Sequence, residues 1–196
     1  MNQMPAILVF LSAAFTHNIL LYYFLGICPA LACSRRLQTA GGLGAAVTFV
    51  STCTAMLNYV MYHHVLVPLG LEHLTFIVFI AVIASFVQFV EMFLERFSLR
   101  LYSALGIFLP LITVNCAILG VSLLMIISDY SFAQTACFGA GAGVGWTLAI
   151  VLLAGLRAKM EYSNVPGAFR GTAIAMVVAG VMAMTFMGFA GMSLGW

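Results

Sequence analysis

The sequence predicts an all-α polytopic membrane protein: six transmembrane helices forming two inverted three-helix repeats, with the first and fourth helices broken. Three observations carry this expectation. Of the 196 residues, 64% are hydrophobic and only 6% are charged, where a soluble domain has about 25% charged residues. The apolar residues fall into six segments, each near or above the ~20 residues that a helix needs to cross a bilayer. All seven Lys and Arg residues lie on alternate connections between those segments, the pattern of the positive-inside rule.

The first segment covers about 5–33. Met1 to Ala14 contains no Lys or Arg, so it lacks the basic region of a signal peptide and reads as a retained helix. Arg35 and Arg36 follow, and then a second segment over about 40–66. His63, His64, Glu72 and His73 mark the next connection, with no Lys or Arg. The third segment, 73–95, ends at Arg96 and Arg100, and the fourth, 101–127, ends at Asp129. Arg157, Lys159 and Arg170 separate the fifth segment, 132–156, from the sixth, 171–193. The basic connections are predicted to be cytoplasmic, which places both termini outside.

Residues 1–196 read as one membrane domain, with internal repeats over about 1–98 and 99–196. Leu37-Gln38-Thr39-Ala40-Gly41-Gly42-Leu43-Gly44 opens the second segment, and Ala133-Gln134-Thr135-Ala136-Cys137-Phe138-Gly139-Ala140 opens the fifth. Ile80-Ala81-Val82-Ile83-Ala84 is echoed by Ile174-Ala175-Met176-Val177-Val178. Three spans per half is an odd number, so the halves must be inverted. Folds of this kind place their sites on discontinuous helices near the midplane. Inverted repeats with broken helices also build secondary transporters, which is a competing reading. The glycine-rich run from Gly139 to Gly145 reads as a close-packing helix face.

Two cysteines stand out. Cys28 lies in Phe24-Leu25-Gly26-Ile27-Cys28-Pro29, and Cys116 in Leu109-Pro110-Leu111-Ile112-Thr113-Val114-Asn115-Cys116-Ala117. Thiolates are soft metal ligands, and non-helical backbone inside a membrane is tolerated only where protein or a cavity surrounds it. In continuous helices the two would sit at different depths, ~10 Å from Arg35 and ~24 Å from Arg100 at 1.5 Å per residue. They can meet only across breaks, for which Gly26, Pro29, Pro110 and Gly120 are candidates. On the residues alone, two structural thiols and two ligands both remain open. Cys33, Cys53 and Cys137 read as small apolar residues.

Glu91 lies a turn deeper than Glu95 and Arg96. An ionisable residue inside a membrane is a functional candidate, here as a cation ligand or gate, while Glu95 and Arg96 suit the interface. His17-Asn18 reads as a helix–helix hydrogen-bonding pair, and His63, His64 and His73 as residues of a solvated loop. No nucleotide fingerprint, nucleophile elbow or Ser/His/Asp order is present, so the chain carries no complete active site. A formal charge of +2 gives no reason to expect a nucleic-acid partner.

The segment Leu105-Gly106-Ile107-Phe108-Leu109-Pro110-Leu111-Ile112-Thr113-Val114-Asn115-Cys116-Ala117-Ile118 closely resembles the signature of a family of membrane subunits. That family includes the E subunit of the sodium-translocating NADH:quinone reductase (Nqr) and the A subunit of the Rnf complex. Phe24-Leu25-Gly26-Ile27-Cys28 is similar to its first-helix motif. Val165-Pro166 and Phe169-Arg170-Gly171 are similar to its last cytoplasmic connection. Asp129-Tyr130-Ser131-Phe132-Ala133, Gly143-Val144-Gly145-Trp146 and Tyr162-Ser163 resemble the quinone-reductase branch. Cys28-Pro29 and the short connection 69–72 lean towards Rnf; the balance favours the quinone-reductase E subunit. His17 departs from the acidic residue usual before Asn18 in that branch.

The resemblance implies a bacterial inner-membrane protein with periplasmic termini, paired with a homologous six-helix subunit of opposite topology (the D-type subunit). It implies that Cys28 and Cys116 supply half the ligands of an intramembrane [2Fe-2S] cluster, the iron being shared with that partner. FMN, FAD and ubiquinone would be bound elsewhere in the complex. Electron flow across the bilayer would be coupled to export of Na+, with Glu91 at the acidic position linked to sodium uptake.

Overall fold

The computed structural model describes residues 5–34, 37–97, 109–160 and 171–192. Within them every regular element is helical. The predicted anchors Arg35, Arg36, Arg100 and Arg170 lie outside the described residues, as do the motif positions 105–108, 162–163, 165–166 and 169.

The helices in chain order are α1 (Ala6–Leu11), α2 (Ile27–Cys33), α3 (Leu37–Met61), α4 (Val67–Leu69), α5 (Thr75–Phe97), α6 (Leu109–Thr113), α7 (Cys116–Ile127), α8 (Phe132–Met160) and α9 (Thr172–Met192). A π-helical turn over Ser12–Thr16 extends α1, another over Tyr62–Leu66 extends α3, and a 3₁₀ turn covers Glu72–Leu74. Four stretches are long and apolar enough to cross a bilayer: Leu37–Leu69, Thr75–Phe93, Pro110–Ile127 and Phe132–Met160. Ala6–Thr16 and Thr172–Gly188 are shorter apolar helices.

The predicted interruptions are present in the first and fourth segments, and of the four expected break residues Gly26 lies at one of them. Gly26, in the left-handed region at φ 81°, ends the non-helical stretch 17–26. Pro29, by contrast, lies inside α2, and Pro110 is the second residue of α6. An early helical position suits proline because the N–H it lacks would have had no partner there. Gly120 lies inside α7. The second break centres on Asn115, whose extended backbone and side chain cap α7 through the Ala117 N–H at 3.0 Å.

Helix α8 forms the interior. Of its span 56% is buried, against 17% for Thr75–Phe93 of α5, which leaves Phe76, Ile77, Ile80, Phe89, Met92 and Phe93 on the outside. The glycine-rich run is helical and packs closely on two sides. A Cβ on Gly143 would come within 2.6 Å of Thr48 Cα in α3, and one on Gly141 within 2.6 Å of the Phe10 carbonyl oxygen in α1. Small residues let helix backbones approach where lipid supplies no hydrophobic driving force between helices. The α3–α8 contact is locally reciprocal: Gly44 lies beneath Thr147 as Gly143 lies beneath Thr48. The two threonine hydroxyls are 3.1 Å apart, and each also donates to the glycine carbonyl one turn back at 2.8 Å. Asn58 Nδ2 donates to Ser122 Oγ at 2.8 Å and ties α3 to α7. At the start of α8, Gln134 Oε1 accepts from the Ser131 N–H at 3.0 Å, one half of a capping box.

Candidate metal centre at two helix breaks

Non-helical backbone in a bilayer needs its polar groups satisfied within the protein, and the first break achieves this through Asn18. This residue is 1% exposed. Its Nδ2 donates to the Gly145 carbonyl at 2.7 Å and the Ala14 carbonyl at 3.2 Å. Its Oδ1 accepts from the Leu20 and Leu21 N–H groups at 3.1 and 3.4 Å. The backbone adds Tyr22 N–H to Asn18 O at 2.8 Å and Leu25 N–H to Ile19 O at 3.1 Å. The expected inter-helix bond of the His17-Asn18 pair is therefore made by Asn18, while His17 packs edge-on against Tyr22.

These arrangements bring the two breaks into contact. The Gly26 N–H donates to Cys116 Sγ at 2.9 Å, and the Gly26 carbonyl accepts from Trp146 Nε1 at 3.2 Å. A Cβ at Gly26 would lie 2.6 Å from Trp146 Nε1, 2.9 Å from Ala117 Cβ and 3.1 Å from Asn115 Oδ1. Only glycine combines that approach with a positive φ. Cys28 follows two residues later, so its Cα lies within about 7 Å of the Gly26 Cα by chain reach. Cys28 is exposed on the surface of this chain and Cys116 is half-buried. Leu25 and Ile19 close over Gly120 of α7, Leu25 Cδ1 lying 2.6 Å from where a Cβ would stand.

The donor set suits an iron–sulfur group. The thiols come from two segments that meet at Gly26, one facing outward, and the Gly26 N–H already points at one sulfur. Asn115 is 3% exposed, and its Nδ2 has no hydrogen-bond partner, which leaves a buried donor next to Cys116. The positive end of α7, 12 residues long, favours negative charge at Cys116. With 7 residues, α2 adds little field of its own. A [2Fe-2S] cluster takes four cysteine-type ligands, and among the described residues no group of three or more His, Cys, Asp or Glu gathers. Cys28 and Cys116 would account for two of those four ligands, and Cys28 is exposed at the surface of this chain.

The remaining candidates are dispersed. Glu91 is half-buried on α5, with Glu95 and Arg96 exposed a turn further on. Cys33 is buried, Cys53 and Cys137 are half-buried, and all five cysteines are free thiols. His63 stacks on Tyr59 with ring centroids 4.2 Å apart. Two contacts escaped the sequence reading: from α8, Trp146 reaches Gly26 and Arg157 reaches Leu31 and Ser34 at the far end of α2. Each partner is more than a hundred residues away in sequence, and no local pattern signals such a contact.

This is an integral membrane protein, all-helical among its described residues, with its first and fourth apolar segments interrupted. Residues 6–193 match the family described as "Rnf-Nqr subunit, membrane protein". The chain is 50% identical over 192 residues to the A subunit of the Na(+)-translocating ferredoxin:NAD(+) oxidoreductase complex of Acetobacterium woodii, covering 98% of this chain and 100% of that one. It is 48% identical over 196 residues to the E subunit of the Na(+)-translocating NADH-quinone reductase of Pseudoalteromonas translucida, covering 95% and 97%. Against the A subunit of the ion-translocating oxidoreductase complex of Thioalkalivibrio sulfidiphilus the identity is 46% over 185 residues, covering 94% and 96%. The chain belongs to the Rnf-Nqr family of membrane subunits.

Proposed function

We propose that this chain is the electron-carrying membrane subunit of a redox-driven ion pump, in which Cys28 and Cys116 hold half of a [2Fe-2S] cluster. The observation that supports this most directly is the Gly26 N–H bond to Cys116 Sγ, which joins the two cysteine-bearing breaks and leaves Cys28 outward. The other two ligands would come from a homologous subunit of opposite topology seated on that edge. When bound, the cluster supplies one-electron transfer at a potential set by its ligands, hydrogen bonds and burial.

The residues of this chain prepare the place for it. Gly26 allows the close approach and supplies an N–H to Cys116. Asn115 ends α6, starts α7 and leaves Nδ2 as a further donor. Ile19, Leu25 and the fully buried Trp146 keep water from the inner side, and a low-dielectric surround strengthens each donor's hold on negative charge. Glu91, half-buried in the membrane span of α5, is the candidate for binding the transported cation, which we take to be Na+ exported from the cytoplasm. The termini would be periplasmic in a bacterial inner membrane, and the two halves of the chain inverted repeats.

Identities of 50% to a component of a ferredoxin:NAD(+) oxidoreductase and 48% to a component of a quinone reductase favour neither branch. The sequence motifs lean towards NADH:quinone chemistry. The A. woodii relative supports the second reading, in which ferredoxin is the donor. In the purified complex, iron, acid-labile sulfide and an electron paramagnetic resonance signal are expected, and Cys28→Ser and Cys116→Ser should each abolish the signal and electron transfer to the final acceptor. Full turnover in either variant would end the proposal. Turnover with NADH and quinone, or with reduced ferredoxin and NAD, separates the branches.

A further inference from the structure

We propose that α8 grips the Cys28-bearing helix at both ends, with Trp146 and Arg157 as positioning residues that set the hydrogen bond from Gly26 to Cys116 and so tune the potential of the centre. The proposal rests on the cluster reading of Cys28 and Cys116. A seven-residue helix cannot hold its own shape, because helices this short are unstable without tertiary contacts. Helix α2 runs from its N-terminal flank at Gly26 to its C-terminal flank at Ser34, and α8 holds each flank. Trp146 is fully buried and its Nε1 donates to the Gly26 carbonyl. Arg157 Nη1 donates to the Leu31 carbonyl at 3.0 Å and to Ser34 Oγ at 2.6 Å, and Ser34 is itself fully buried.

Both grips come from one stripe of α8. Trp146, Ile150, Leu153 and Arg157 follow helical spacing, and the first three are 0–1% exposed. Pro29, Ala30 and Cys33 are the buried residues of α2. The last carbonyls of a helix have no partner within it, and Arg157 supplies a donor to one of them, that of Leu31. The two clamps hold α2 at its two flanks and leave the Gly26 N–H little freedom relative to Cys116. A hydrogen bond donated to a ligand sulfur stabilises the more negative, reduced state and raises the reduction potential. Loosening either clamp should therefore lower the potential while both cysteines remain in place.

The test is a redox titration of the assembled complex, followed by electron paramagnetic resonance, with iron content measured on the same samples. The variants are Trp146→Phe, which keeps the ring but not the donor, Arg157→Gln, and Arg157→Lys, which keeps the charge. Full iron with a more negative midpoint in Trp146→Phe and Arg157→Gln, and a return towards the wild-type midpoint in Arg157→Lys, supports the proposal. Full iron with a wild-type midpoint in Trp146→Phe and Arg157→Gln overturns it, and the cluster reading survives. If Trp146→Phe assembles without iron, the Arg157 pair decides: a lowered midpoint only in Arg157→Gln supports the clamp, and wild-type midpoints in both overturn it. A wild-type complex without a cluster signal removes the cluster reading and the clamp together.

Discussion

Replacing Gly26 by alanine strikes the contact on which the site depends, and the structure sets the size of the effect. Gly26 sits at φ 81°, where a side chain costs about 1–2 kcal/mol. The added methyl would meet Trp146 Nε1 at 2.6 Å and Ala117 Cβ at 2.9 Å. Neither neighbour can yield easily, since both are buried, and forcing an extra carbon into packed surroundings costs about 1–3 kcal/mol. Gly26→Ala is therefore expected to destabilise the chain by roughly 2–5 kcal/mol and to reduce iron in the purified complex. Gly70→Ala isolates the backbone part. Gly70 has φ 64° and nothing within 4 Å of its added methyl, so about 1–2 kcal/mol with full iron is expected. Gly180→Ala, in mid-helix with open space, should be neutral or stabilising by about 0.4–1 kcal/mol. The assay is unfolding of the detergent-solubilised complex, with iron content measured in parallel. Equal stability and equal iron in the Gly26 and Gly70 variants would refute the close approach of α2, α7 and α8.

Three further outcomes are expected. Asn18→Ala removes two buried donor bonds and the cap of the turn at Leu20 and Leu21, which at about 1 kcal/mol each should lower stability by roughly 2–4 kcal/mol; a wild-type unfolding midpoint would show that the first break is held otherwise. Glu91→Gln should weaken the sodium dependence of turnover while leaving the cluster signal intact, and an unchanged sodium dependence would remove Glu91 from the ion route. In the isolated chain Cys28, exposed, should react with a maleimide well before Cys33, which is 2% exposed. The assembled complex should protect Cys28, and rapid labelling there would contradict a partner on that edge.

Much of the architecture was legible in the sequence because hydropathy and charge are local signals. The helical spans follow from apolar runs, and the glycine-rich stretch of α8 was readable as a packing face. The breaks were legible in place and only partly in cause: Gly26 was readable and stands at the first of them. Proline drew attention at 29 and 110, yet proline is at home early in a helix, and it is Asn18 and Asn115 that turn the chain. A shared Thr-x-Asn pattern, Thr16-His17-Asn18 and Thr113-Val114-Asn115, was the available clue. The roles of Trp146 and Arg157 were not legible at all, since each depends on a contact spanning more than a hundred residues. A single sequence gives no register for such pairings.

The central claim is that the two breaks of this chain, together with a neighbouring polypeptide, enclose iron between their cysteines. An experimental map of the assembled complex tests it most directly. The account predicts a compact inorganic feature bonded to Cys28 Sγ and Cys116 Sγ and to two sulfurs of that neighbour. Thiols that face only lipid or protein in that map, with no such feature between them, would contradict it.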